Sequence, residues 1–278
     1  MNSRADHNQW REILSRLIVG PISLSPRIAV LAAHPDDETI GASVLLARSH
    51  DPVVIYLTDG APRDAKLWST DFHGSRDEYA FMRRAEAMRA LSCAGVTEEQ
   101  TQWLGAPDQD AIFHSSELVG KLAEVMTRVE VDLVVTHPYE GGHPDHDAAA
   151  LVARQAVAQF GENAPILLEM TSYHARQTRC VTGEFLQPKA ADEICFQLTE
   201  EDRQRKRKMF ESYASQRPVL SAFDATQERW RKGPNCDFSR PPHEGKLWYE
   251  CMDWPTTGEK WRAVAAASMA ELREHSCR

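Results

Sequence analysis

Arg27-Ile-Ala-Val-Leu-Ala-Ala33-His34-Pro35-Asp36-Asp37-Glu38 decides the fold of this chain. A continuous apolar run breaks into a dense polar cluster, and Thr39-Ile-Gly-Ala-Ser-Val-Leu-Leu-Ala-Arg48 follows as a helix. A strand apolar on both faces needs cover on both, which marks a parallel sheet between helices. Working outward, the same unit recurs. Pro52-Val-Val-Ile-Tyr-Leu-Thr58 is a second apolar run, closed by Asp59-Gly60. Residues 78–94 carry Ala80, Phe81, Ala85, Met88 and Leu91 at helical spacing, and Thr101-Gln-Trp-Leu104 reads as a short strand. Residues 115–129 are helical, with Leu118, Leu122, Val125 and Met126 on one stripe. A strand over 131–136, a helix over 148–160 and a fifth strand over 165–171 complete the pattern. The expected fold is α/β: a Rossmann-like three-layer α/β/α sandwich with a mostly parallel sheet.

Beyond residue 175 the alternation weakens. Thr199-Glu-Glu-Asp202 opens a helix through the basic run Arg203-Gln-Arg-Lys-Arg-Lys208, read as a solvated face in preference to an anion site. Gly233-Pro234 and Pro241-Pro242 mark loops, and a last helix runs over about 259–275. The expected organisation is an N-terminal helical extension over 1–26, a main domain over 27–216, and a loop-rich and helical appendage of that domain over 217–278.

Composition narrows the function. The chain has 278 residues, 41 acidic against 32 basic, and a net charge of −9, so a phosphate backbone or anionic membrane would be repelled. No apolar stretch approaches the ~18 residues that span a bilayer. The N-terminal ten residues lack the apolar core of a signal peptide, which leads to the expectation of a soluble cytoplasmic protein; a homo-oligomer stays open. Six cysteines, with no Cys-x-x-Cys pair, read as small buried hydrophobes or free thiols, not a zinc knuckle.

The chemistry sits in two clusters, each at the carboxyl end of an expected strand: His34-Pro-Asp-Asp-Glu38 and Gly141-Gly-His-Pro-Asp-His146. Ligand sites of parallel sheets form on that side. Adjacent acids beside a histidine repel unless something positive lies between them, and a divalent metal supplies that charge. His34 and Asp37 can converge across a turn, with His146 approaching from the second loop. Such a set suits zinc and leaves a place for water, while Fe2+ and Mn2+ accept the same donors. A metal here would lower the pKa of bound water. Asp36 is then the natural general base. His143 would stabilise the oxyanion or protonate the leaving group, with Asp145 orienting or charging its ring.

These residues resemble the LmbE or PIG-L deacetylases. The family's Ala-His-Pro-Asp-Asp-Glu stands at 33–38 and its His-Pro-Asp-His at 143–146. Thr58-Asp59-Gly60, Arg83-x-x-Glu86, Leu104-Gly105-x-Pro107-Asp108 and Ser215-Gln216 match weaker features, so the resemblance spans about 27–216. It implies the LmbE-like fold and a hydrolase with one zinc per chain that removes an N-acetyl or other N-acyl group from a GlcNAc-type amino sugar or glycoconjugate. On that basis His34, Asp37 and His146 would hold the metal, Asp36 would be the base, His143 the acid or oxyanion partner, and Arg83 and Asp108 would contact sugar. One departure stands out: some of these deacetylases carry tyrosine two positions before the histidine matched by His143, where this chain has Gly141, with Tyr139 nearby.

Blander readings compete. His34, Asp37 and His146 could serve capping and core hydrogen bonds, Asp36 could cap a helix, and His143 with Asp145 could fix a loop. Glu38 reads as a first-turn acid. Asp59 could simply end a strand in a turn. His137 lines the pocket without ligating. His73, His114, His174 and His243 read as structural, and Trp230, Trp248, Trp254 and Trp261 as core. Two other functions fit the clusters: a metal-dependent phosphoesterase, which would hold two metals, and a non-catalytic sugar-binding module. No Gly-x-Gly-x-x-Gly or Gly-x-Ser-x-Gly motif follows the first strand.

Overall fold

The computed structural model describes residues 3–19, 26–187, 193–252 and 254–276. Helix α1 (Ser3–Val19) precedes the units β1 (Ile28–Ala32), α2 (Asp37–Arg48), β2 (Val53–Pro62), α3 (Arg76–Cys93), β3 (Thr101–Asp108), α4 (Ser115–Val129), β4 (Leu133–Thr136), α5 (Pro144–Ala158) and β5 (Ile166–Met170). A hairpin of β6 (Tyr173–Arg176) and β7 (Arg179–Thr182) follows. The chain then runs through β8 (Glu193–Gln197), α6 (Glu200–Ser212), α7 (Arg217–Leu220), β9 (Gln227–Lys232) and α8 (Gly258–Ser276).

The main sheet has seven strands in the order β3-β2-β1-β4-β5-β9-β8. The first five are parallel, and β9 and β8 add antiparallel strands at the β5 edge. In register, Val30 of β1 lies between Val54 of β2 and Val135 of β4. Alternation along β1 feeds two cores, as the two-residue period of a strand requires. Ile28, Val30 and Ala32 pack with Leu14, Tyr56, Leu91, Met209 and Trp230. Ala29, Leu31 and Ala33 pack with Ile55, Leu122, Val134, Leu151 and Trp261. This is the expected three-layer α/β fold with a mostly parallel sheet.

Chain order reverses between β1 and β4. The strands β2 and β3 extend to one side, and β5 extends to the other. The two polar clusters follow those central neighbours, so both open into the crevice at the switch point.

Several elements differ from the sequence reading. Helix α5 starts at Pro144, four residues before Ala148, because His143 caps it, proline occupies its first turn, and Asp145 and Asp147 favour that end. The second motif is therefore a helix start as well as a loop. The β2 and β3 strands run on to Pro62 and Asp108 through register shifts. The basic run of α6 is mostly solvated, but Lys206 is fully buried against Glu228. Cys93, Cys180, Cys195, Cys236 and Cys251 are free thiols, two of them exposed, and Cys277 lies outside the described residues.

Candidate active site

The site is built where α2 and α5 begin. Asp36 occupies the N-cap of α2 with φ of 132°, a conformation an L-residue holds only under constraint. Its side chain makes no cap hydrogen bond. Instead, its backbone N–H donates to Glu38 Oε2 at 3.0 Å, and its carbonyl accepts from Thr39 and Ile40. Glu38 is itself fixed by Thr39 and by the Tyr213 hydroxyl at 2.5 Å. The Asp36 carboxylate turns to Arg83, whose Nη2 lies 3.2 Å from Oδ2 and donates to Pro35 O at 2.6 Å. Burial raises the Asp36 pKa to about 7, against the opposing pull of the Arg83 guanidinium.

Asp37 lies among three imidazoles. Its Oδ1 is 3.2 Å from His146 Nε2, and its Oδ2 is 3.2 Å from His137 Nε2 and 3.4 Å from His34 Nδ1. Burial would raise its pKa, but His146 and His137 outweigh it and hold the carboxyl well below the usual range. His146 stacks on His137 at 4.0 Å, with Ser172 Oγ 3.4 Å from its Nδ1. Burial, reinforced by His137, pushes His146 down to about 3, so it is a neutral imidazole as metal ligation requires.

The far side of His34 meets two more acids. Its Nε2 is 3.1 Å from Asp145 Oδ2 and 3.3 Å from Asp108 Oδ1. Burial opposes charge on His34, but Asp108, Asp145 and Asp37 together raise its pKa well above the ordinary value. Asp145 also accepts the Gln109 and Ala111 backbone N–H groups at 2.6 and 3.1 Å. The carboxylate expected to orient His143 therefore serves His34, lying 3.9 Å from His143 Nδ1. His143 is oriented by the helix backbone: its Nδ1 accepts the Asp145 N–H at 3.1 Å, which leaves the proton on Nε2, 3.8 Å from Asp108. Burial, with His34 and His146 nearby, holds His143 well below its ordinary pKa, so it is a neutral donor.

Donor atoms of His34, Asp37 and His146 all lie within 4.8 Å of one another, as do those of His34, Asp108, His143 and Asp145. All of these side chains are buried or nearly so, and Arg83 pairs with Asp36 at the edge of the group. Four acids gathered around Arg83, His34 and the neutral imidazoles of His143 and His146 outnumber the positive groups in a poorly solvated place, and a divalent cation would offset the excess. The nitrogen and carboxylate donors of His34, Asp37 and His146 fit such an ion.

Other residues fall out differently from the sequence reading. Arg83, expected to contact sugar, is 2% exposed and spends its donors on Pro35 and Asp36, because α3 packs it beneath the first motif. Asp108 borders a cavity of about 350 Å³ with Arg63, Gln109, Thr256 and Lys260. A larger cavity of about 570 Å³, lined by Trp10, Tyr139, Glu140, Arg231 and Cys236, contains none of the cluster's donors. Tyr139 donates to Arg240 O and supplies no phenol to the site. Gly141 has φ of 70°, and a Cβ there would strike Leu247 at 2.6 Å. Trp230 and Trp261 are core, but Trp254 is half-buried and meets His143 edge-on at 4.7 Å. His174 is buried beside Glu140, and Asp59 closes its turn and pairs with Arg76. Ser172, Tyr173 and the amides of Gln109 and Ala111 had no signal in the sequence, since each reaches the site through a tertiary contact.

Comparison with known proteins places this geometry. Residues 29–157 match the model of the family described as PIG-L: GlcNAc-PI de-N-acetylase. The probable N-acetyl-alpha-D-glucosaminyl L-malate deacetylase 2 of Bacillus subtilis is 28% identical over 166 residues, 58% of this chain and 73% of that protein. The 1D-myo-inositol 2-acetamido-2-deoxy-alpha-D-glucopyranoside deacetylase of Thermobifida fusca is 27% identical over 184 residues, covering 54% of this chain and 60% of its own length. In fold, the chain is similar to the N,N'-diacetylchitobiose deacetylase of Pyrococcus horikoshii, with a TM-score of 0.54 and 18% identity over 84% of this chain and 93% of that one. The matched family model and the curated relatives are described as deacetylases, which hydrolyse a carbon–nitrogen bond, and the solved structure shares the fold. Over residues 29–157, just under half of its length, the chain is similar to the PIG-L family.

Proposed function

We propose that this protein is a zinc-dependent hydrolase that removes an N-acetyl, or other N-acyl, group from a GlcNAc-type amino-sugar conjugate. The observation that carries the reading is the meeting of His34, Asp37 and His146 beside Asp36, an acid held in a strained backbone and free of any capping duty. Zinc held by His34, Asp37 and His146 would polarise the amide carbonyl and make a water more acidic. Asp36 takes the proton from the attacking water, and a carboxyl with a pKa of about 7 suits that task at neutral pH. As the water oxygen bonds to the carbonyl carbon, His143 Nε2–H steadies the oxygen or delivers a proton to the departing nitrogen. The C–N bond then breaks, giving carboxylate and amine. Arg83 holds the Asp36 carboxylate, and Asp145 orients His34. Asp108, facing both His34 and the adjoining cavity, accepts hydrogen bonds from sugar hydroxyls. The GlcNAc conjugates named for the relatives support this substrate class. Among the described residues no helix is long and apolar enough to cross a membrane.

Metal content by mass spectrometry, paired with acetate release from a panel of N-acetylated sugars, tests the proposal. One zinc per chain with acetate release is expected. Two metals with phosphate-ester hydrolysis would favour a phosphoesterase. No metal and no turnover after zinc is supplied would leave a sugar-binding module.

A further inference from the structure

Strand β6 begins directly after Ser172, and its first residue, Tyr173, stands over the cluster. Its ring meets His146 edge-on, with centroids 5.1 Å apart and planes at 64°. Phe223 packs against the ring at 6.2 Å. The backbone is held as closely as the ring. A Cβ on Gly142 would lie 2.0 Å from Tyr173 O, so only glycine before His143 lets β6 approach this near. The second motif and Tyr173 are thus fixed to one another.

The hydroxyl is left without a structural duty. Tyr173 is half-buried, and no described residue hydrogen-bonds its phenol. A phenol keeps its proton at neutral pH and can donate it to an acceptor. Amide hydrolysis builds negative charge on the carbonyl oxygen, and a site must aim donors at it. Asp36, Asp37 and Asp108 are acceptors and would repel that charge. Arg83 is turned to Pro35 and Asp36. Arg83 Nε and His137 Nδ1 also lack acceptors but are enclosed in protein, so among the described residues around the cluster the unspent donors on side chains that solvent still reaches are His143 Nε2–H and the Tyr173 hydroxyl.

We infer that Tyr173 is a catalytic residue, whose hydroxyl donates a hydrogen bond to the substrate carbonyl oxygen as that oxygen gains charge. The proton stays on the phenol throughout. The inference rests on the amide-hydrolase reading and adds a second donor beside His143.

Tyr173→Phe tests it in the zinc-loaded enzyme, because it keeps the ring against His146 and Phe223 and removes only the hydroxyl. Acetate release from the N-acetylated sugar panel should show kcat falling about 100-fold, with KM and metal content unchanged. The loss should shrink on the matching N-trifluoroacetyl sugar, whose less basic oxyanion needs less help. Parental kcat in the variant, with Asp36→Ala inactive, would overturn the role of Tyr173 and leave the hydrolase reading standing. An equal loss on both acyl groups, a rise in KM that accounts for the defect, or a loss of metal would also overturn it. A parent enzyme inert toward every amide would overturn the hydrolase reading and this inference with it.

Discussion

Replacing Arg83 with methionine tests whether Asp36 is a base held by charge. The guanidinium lies 3.2 Å from the Asp36 carboxylate, and both side chains are almost fully buried. At an effective dielectric near 20, that separation corresponds to about 5 kcal/mol of attraction, an upper bound before solvent and neighbours relax. An opposite charge this close commonly lowers a carboxyl pKa by about one to three units. Asp36 stands at about 7 with Arg83 in place, so its pKa rises further without it. A base works only when deprotonated, so the acid limb of kcat/KM should move up by about one to three pH units in Arg83→Met. A two-unit move would cut activity at pH 7 about fifty-fold and return it at alkaline pH. Arg83→Lys should lie between, keeping the charge but losing the planar fork that also holds Pro35 O. The assay is acetate release from an N-acetylated sugar across pH, beside urea unfolding, where loss of the buried pair should cost about 3–5 kcal/mol. A folded Arg83→Met variant with an unmoved acid limb would refute the assignment of Asp36 as a base tuned by Arg83.

Other perturbations reach different parts of the structure. His34→Ala should lose the bound metal, read by mass spectrometry, whereas Asp36→Ala should retain it and lose turnover. Lys206→Met should destabilise the fold by about 3–5 kcal/mol in urea, since Glu228 stays buried without its cation; adding Glu228→Gln should recover much of the loss. Burial opposes ionisation of Asp202, but Thr199, Arg48 and Arg205 outweigh it and depress its pKa. Its stabilising contribution is therefore present above the unfolded carboxyl pKa and is lost as pH falls through the folded one; Asp202→Asn should flatten that part of the stability-versus-pH curve. Gly142→Ala should lower both kcat and the melting temperature, because its methyl meets the Tyr173 carbonyl at 2.0 Å; wild-type values for both would contradict the close approach.

The parallel half of the molecule was readable because its central strands β1, β2 and β4 are buried on both faces and leave apolar runs, whereas the edge strand β3 is only partly buried and extends past the short stretch the sequence marks. The His34 and His146 clusters were readable because both lie at strand ends beside one another in the sheet. The antiparallel edge was not. Strand β9, Gln227–Lys232, alternates in burial, but one of its inward residues is Glu228, tolerated only because Lys206 arrives from α6. No local pattern announces that pairing. His143 could be read as a working residue but not as a helix cap, and Asp145 was assigned to the nearer histidine in sequence when backbone amides from the loop after β3 turn it to His34. Trp254 read as core because sequence does not say which tryptophan meets a buried site. Tyr173 was silent for a related reason: its place depends on the missing side chain of Gly142.

His34 also bears on how many ions the site takes, since it belongs to both groups of donor atoms. In a metal-binding histidine, the nitrogen facing the ion is set by what the other nitrogen does. Here Nε2 faces Asp145 at 3.1 Å, and Asp145 is anchored by the Gln109 and Ala111 N–H groups. An acceptor fixed in that way keeps a proton on Nε2, so it is Nδ1, on the side of Asp37 and His146, that would give up its proton to a metal. A second ion among Asp108, His143 and Asp145 would have to strip that proton and break the Asp145 contacts. It would also need the lone pair of His143, whose Nε2 carries its own proton because Nδ1 accepts the helix N–H. The hydrogen bonds around the cluster thus favour one ion held by His34, Asp37 and His146, with His143 and Asp108 left to face the substrate. That argues against the two-metal arrangement of a phosphoesterase and for hydrolysis of an amide.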